Sequence, residues 1–232
     1  MFFNDRIFIR GYQTRRSRFA CLIPALMACL AIGCFLPDVK VLSAQETKKK
    51  IVVCSTTQIA DFAAQVGGDW WEVNCVLAPG EDPHTYEVGN DDLLSVKRAD
   101  LCLENGWNLE GHAWMTNLAK TAGKPIKTCV DGIEPLKLID EGEAVKDPHA
   151  WFSTYNAIIY VQNIRDAMSG VDPDHSDEYT ANANRYIIEL RTLNHWIGVQ
   201  VNAIPRSRRI LVTHHDAFGY FSKAYGLSLI HI

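Results

Sequence analysis

No two cysteines in this chain are spaced C-x-x-C, so the sequence encodes neither a zinc knuckle nor a dithiol redox centre. It also contains no HExxH, GxSxG or GxxxxGK[ST] segment. These absences remove the helical zinc-protease motif, the nucleophile elbow and the phosphate-cradling loop. Positive charge is not in surplus either: 23 Lys and Arg stand against 27 Asp and Glu. Nucleic-acid binding requires basic surface, so that class of partner is excluded.

The one long charge-free run, Phe19 to Leu36, follows Arg6, Arg10, Arg15, Arg16 and Arg18. Basic, then apolar, then small and polar is the order of a secretory signal. Cleavage is expected after Ala44, giving a leader over residues 1–44. Cys29 and Cys34 offer alternative points where a lipid could be attached, and a retained membrane anchor is the competing reading. The leader holds six basic and two acidic residues, so the remainder carries 17 basic and 25 acidic groups. Such an acidic surface favours the approach of a cation, modestly at physiological salt. Cys54, Cys75, Cys102 and Cys129 remain after the leader, one in each of four predicted strands. Export would permit disulfides among them, but buried, reduced residues are the expectation.

Past the leader, strand and helix patterns alternate. Lys50–Cys54, Trp71–Leu77, Leu101–Leu103 and Pro125–Val130 read as strands. Between the first two, Ile59, Phe62, Ala63 and Val66 mark one face of a helix. Asn90 is expected to cap the next helix, and a third covers about His112 to Thr121. This order predicts an α/β fold with a parallel sheet flanked by helices. Asp131 to Lys146 reads as a polar connection with five acidic residues. A helix over about Asn156 to Met168 follows. The longest helical pattern runs from Tyr179 through Ile187, Leu190 and Val201 to Ile204, stopped by Pro205. Behind it come a strand at Arg208–Thr213 and a helix at Ala217–Tyr225. One strand and one helix cannot bury a core alone. Residues 206–232 are therefore expected to be the start of an incomplete second lobe, mobile and with apolar side chains part-exposed.

Three imidazoles stand at the ends of separate elements. His84 lies in Pro79-Gly80-Glu81-Asp82-Pro83-His84-Thr85-Tyr86-Glu87, after the second strand. His149 repeats the device in Asp147-Pro148-His149-Ala150-Trp151. Proline fixes its own φ and restrains the residue before it, so each histidine leaves its loop in a set direction. His214-His215-Asp216 follows Ile210-Leu211-Val212. A lone histidine in a turn is ordinary, whereas a repeated Asp-Pro-His is not. Ligands of parallel sheets sit at the carboxyl ends of the strands, where His84 falls. Asp82 and Asp147 could orient the histidines or simply form turns.

The segments PGEDPHTYE, ADLCLENGWNLEG, DPHAW and LVTHHDAFGYFSKAYGL resemble the zinc/manganese-specific solute-binding proteins of ABC importers, the TroA-like family. The resemblance spans Ile51 to Leu227. It implies two α/β lobes joined by one long rigid helix, with a metal ion between them. Residues 45–171 would be the amino-terminal metal-binding lobe, 172–205 the linking helix and 206–232 the opening of the second lobe. It implies His84, His149 and His215 as ligands, with His215 rather than His214 matching the histidine before Asp-Ala-Phe. The cargo would be Zn(II) or Mn(II), passed to an importer permease by a monomeric, extracytoplasmic carrier that is not an enzyme. Membrane contact would come only through the signal or a lipid anchor. Three imidazoles favour zinc, since manganese prefers oxygen and manganese-selective relatives carry Glu at the third position. The family's late carboxylate ligand and its His-rich loop have no counterpart, and Phe152-Ser153-Thr154 replaces an Asp-Pro pair. An exported zinc hydrolase and a metal-independent surface adhesin are the competing functions.

Overall fold

The computed structural model describes residues 48–140 and 142–232. The leader expected over residues 1–44, with cleavage after Ala44 or lipidation at Cys29 or Cys34, lies outside the described residues.

Four parallel strands form the main sheet in the order β2-β1-β3-β4. They are β1 (Lys50–Cys54), β2 (Trp71–Cys75), β3 (Leu101–Glu104) and β4 (Ile126–Thr128). Helices α1 (Thr57–Gly67), α2 (Asn90–Arg98) and α3 (Trp114–Ala122) alternate with them. Val52, Val53 and Cys54 of the inner strand β1 are fully buried. Val53 packs with Cys102, Val96 and Met115 on one face, while Val52 and Cys54 meet Ile59, Phe62 and Val66 on the other. Burial on both faces is why the inner strands β1 and β3 read as apolar runs, whereas the edge strands β2 and β4 mix polar and apolar residues.

Several boundaries differ from the sequence reading. The α2 cap is Gly89, and Asn90 is already helical. Gly89 has no side chain to offer, so Asp92 reaches back and accepts its N–H at 2.7 Å. β4 ends at Thr128, which leaves Cys129 buried just beyond the strand. All four cysteines are free, Cys75 half-buried and the others buried. Burial pushes the Cys75 and Cys102 thiols up to about 11 and those of Cys54 and Cys129 well above their usual value. They are thiols, not thiolates, at neutral pH.

The polar connection is a hairpin, β5 (Lys137–Asp140) against β6 (Glu143–Lys146), with Leu138 opposite Val145. Its acidic residues obscured a short alternation of polar and apolar side chains. Gly142, at φ 87°, supplies the left-handed turn position.

Helix α4 (Thr154–Val171) then packs against α1 and α5 (Ser176–Ala203). The 28 residues of α5 extend about 42 Å at 1.5 Å per residue. Its buried stripe is Tyr179, Ala183, Ile187, Leu190 and Val201. Asp172 fixes the start, accepting from His175 Nδ1 at 2.8 Å and from the Tyr179 hydroxyl at 2.5 Å.

Residues 206–232 carry regular structure, contrary to the expected mobile tail. β7 (Ile210–Thr213) and β8 (Ser228–His231) pair in parallel, joined by α6 (Gly219–Tyr225). The reason lies in the aromatic residues of α6. Tyr220 enters the same core as Tyr160 and Ile164, and the Tyr225 hydroxyl donates to Asn194 of α5 at 3.0 Å. The expected exposure does hold on the strands: Ile210 and Val212 are 53% exposed and Ile230 46%.

Candidate metal centre

The carboxyl end of the main sheet carries two loops built alike. In Asp82-Pro83-His84, the Asp82 carboxylate accepts the His84 backbone N–H at 2.9 Å. In Asp147-Pro148-His149, Asp147 accepts the His149 N–H at 3.0 Å. Each is an Asx turn, closed by the aspartate onto the residue two further on. Proline between them cannot donate a competing N–H.

The two aspartates then differ. Asp82 also accepts the Thr85 hydroxyl at 3.3 Å, on an exposed loop. Asp147 is buried, and the same oxygen lies 2.8 Å from His149 Nδ1. A carboxylate accepts only, so His149 carries its proton on Nδ1 and turns the Nε2 lone pair outward.

His215 arrives on the segment after β7. The Tyr220 hydroxyl anchors that segment by donating to the Asp147 carbonyl at 3.0 Å and accepting the Leu136 N–H at 2.9 Å. Close approach also requires Gly219, where an added Cβ would stand 2.9 Å from Asp147 Oδ2.

These loops bring His84, His149 and His215 together, with one ligand nitrogen from each lying within 4.8 Å of the others. They form the one such group of potential metal-binding side chains among the described residues. Nε2 of His149 and Nε2 of His215 are 3.0 Å apart. Two lone pairs at that separation repel unless a proton or a cation lies between them. Ring centroids are 5.6 Å apart for His84 and His149, and 5.8 Å for His84 and His215.

His149 is buried and His84 part-buried, whereas His215 is exposed as a residue. Its inner edge is nevertheless dehydrated, and that loss, followed by the neighbouring His149, holds its pKa below the ordinary histidine value. Asp82 and Asp216 oppose the shift. A cavity of ≈ 370 Å³ opens beside the trio, bounded by Glu81, Leu77, Trp151 and Phe218. His214 is absent from the lining of that cavity and borders a second one with His231 and Lys146, which His84, His149 and His215 also line. His112, His175 and His195 lie outside the trio.

Sequence reasoning left the role of Asp147 open and gave Tyr220, Gly219 and the loop Asn105–Gly111 no part in the site, although all lie in segments that carry the family resemblance.

The family model for the zinc-uptake complex component A, periplasmic, matches residues 52–232. The manganese ABC transporter substrate-binding lipoprotein PsaA of Streptococcus pneumoniae serotype 4 is 34% identical over 218 residues, 91% of this chain and 70% of that protein. Among solved structures, the Mn-bound periplasmic metal binding protein from Candidatus Liberibacter asiaticus superimposes with a TM-score of 0.71 at 32% identity. The match covers 79% of this chain and 69% of that one. A zinc-bound ZnuA deletion mutant gives a TM-score of 0.73 at 28% identity, over 80% of this chain and 70% of its own.

Proposed function

This chain belongs to the zinc-uptake complex component A family of periplasmic proteins, and from that premise we propose that it binds one divalent transition-metal ion through His84, His149 and His215, zinc being favoured. The family's members are extracytoplasmic substrate-binding components of metal ABC importers, not enzymes. A divalent metal ion and an importer permease are therefore its partners. Among the described residues no helix is long and apolar enough to cross a membrane.

The observation carrying the reading is the convergence of three imidazoles with ligand atoms within 4.8 Å of one another. Zn–N bonds of about 2.0–2.1 Å at tetrahedral angles place ligand nitrogens about 3.3 Å apart. His149 and His215 stand close to that separation already, at 3.0 Å. An all-nitrogen set suits zinc, while manganese calls for more oxygen. Manganese keeps two points in its favour, the similarity to the manganese lipoprotein PsaA and to the Mn-bound periplasmic protein. On the same reading residues 45–171 form the metal-binding lobe, 172–205 the linking helix and 206–232 part of a second lobe. The carrier acts as a monomer, with a lipid anchor as one route to the membrane surface.

Competition titrations of zinc and manganese against a chromophoric chelator test this. The parent chain should prefer zinc, and His84→Ala, His149→Ala and His215→Ala should each weaken it strongly. Preference for manganese, or indifference to all three substitutions, would overturn the assignment.

A further inference from the structure

The two Asp-Pro-His turns come from distant parts of the chain, yet both rest on one loop. Asn105 donates its side-chain N–H to the Pro148 carbonyl at 3.0 Å. That carbonyl belongs to the peptide leading into His149. Six residues on, Gly111 donates its backbone N–H to the Pro83 carbonyl at 3.3 Å, and Trp114 Nε1 donates to the same oxygen at 2.9 Å. That carbonyl leads into His84.

The loop between these points holds an uncommon conformation. Gly106, Trp107 and Asn108 all have positive φ, at 96°, 50° and 62°. Left-handed geometry is costly for residues bearing a Cβ and persists only where surroundings enforce it. The enforcing group is Glu110, 2% exposed. Its carboxylate accepts from Asn105 N at 2.7 Å, Gly106 N at 3.1 Å and Ser55 Oγ at 2.6 Å. Burial pushes its pKa up, and the three donors oppose that shift. Ser55 directly follows β1, so the loop is tied to the sheet's inner strand. Tyr160 donates to Asn105 Oδ1 at 2.5 Å, which turns the Asn105 amide toward Pro148.

We infer that the loop Asn105–Trp114, locked by Glu110, is the common positioning element that sets the distance between His84 and His149. Asn105 and Trp114 are its two outputs, one for each histidine. Neither touches the ion. They act through the carbonyls of Pro148 and Pro83, so the loop fixes the spacing to which a third ligand must be added. This rests on the metal-binding reading above.

The test measures zinc affinity of the full chain by chelator competition, with the Co(II) absorption spectrum as a second readout. Asn105→Asp replaces the amide donor by an acceptor and leaves an oxygen for Tyr160. Trp114→Phe keeps a six-membered aromatic ring and removes the five-membered ring that carries the N–H, in a buried place. Glu110→Gln disturbs the lock itself. Each should weaken zinc by about 10–100-fold, as loss of outer partners of metal ligands does, and should alter the Co(II) band intensities. Should Glu110→Gln fail to fold, Trp114→Phe still decides the matter. A purely structural loop would lower the melting temperature and leave affinity and spectrum unchanged. Affinity within twofold of the parent for both Asn105→Asp and Trp114→Phe overturns the inference. Absence of zinc binding by the parent chain overturns the metal reading instead, and this inference with it.

Discussion

Asp147 Oδ1 sits 3.0 Å from the backbone nitrogen of His149 and 2.8 Å from its ring Nδ1. One oxygen therefore sets both the turn and the tautomer of the most buried of the three histidines. Asp147→Asn keeps the shape but removes the charge that makes Nδ1 the protonated nitrogen. Zinc affinity should fall about 10–100-fold. Equal affinity for the variant and the parent would show that the carboxylate only shapes the turn.

Tyr220 ties the His215 segment to the His149 loop through its hydroxyl. Tyr220→Phe keeps the buried ring and leaves the Leu136 N–H and the Asp147 carbonyl without that partner. A destabilisation of about 1–3 kcal/mol is expected for such unsatisfied groups. Zinc binding should weaken too, because His215 loses its anchor. Urea unfolding alongside a zinc titration checks both. A stability loss with unaltered affinity would mean that β7 and α6 are held some other way.

Gly111 is required by close approach. A Cβ there would fall far inside van der Waals contact distance of the His84 carbonyl oxygen. Gly111→Ala should displace the His84 turn, cost about 1–3 kcal/mol by overpacking and weaken zinc binding as His84→Ala does. Parent-like affinity in Gly111→Ala would place His84 outside the ligand set.

The acid response follows from His215. Its pKa in the folded chain lies below the ordinary value, so the unfolded chain takes up its proton first, near pH 6.5. Where the unfolded state binds more protons, stability rises with pH. This contribution is thus present above about pH 6.5 and is lost as pH falls through the lower folded pKa. Zinc competes with the same protons. Affinity should weaken from pH 7.5 to 5.5, and zinc should protect against unfolding less at the acid end. A flat zinc titration over that range would contradict a histidine-dominated site.

Much of this was legible in the chain itself. Asp-Pro-His reports its own backbone, because proline and aspartate dictate a turn locally, and two copies mark two equivalent turns. The parallel sheet was legible from the regular alternation of strand and helix patterns that begins at Lys50. Glu110 was not, since a buried carboxylate is intelligible only through donors brought from Ser55 and Asn105 by the fold. The β5–β6 hairpin was hidden by its acidic residues, and the docking of α6 rests on Tyr220 and Tyr225 meeting partners more than thirty residues away. Local chemistry writes turns into sequence, while long-range polar pairing is written only in the packing.

The central claim is that three imidazoles converge on one ion, and zinc K-edge X-ray absorption on the chain loaded with one equivalent tests it most directly. The account predicts a first shell of nitrogen or oxygen at about 2.0–2.1 Å, with the outer-shell scattering of three imidazole rings. That scattering should drop to two rings in His215→Ala and remain at three in His214→Ala. Sulfur at about 2.3 Å, fewer than three imidazoles in the parent, or loss of a ring in His214→Ala would contradict it.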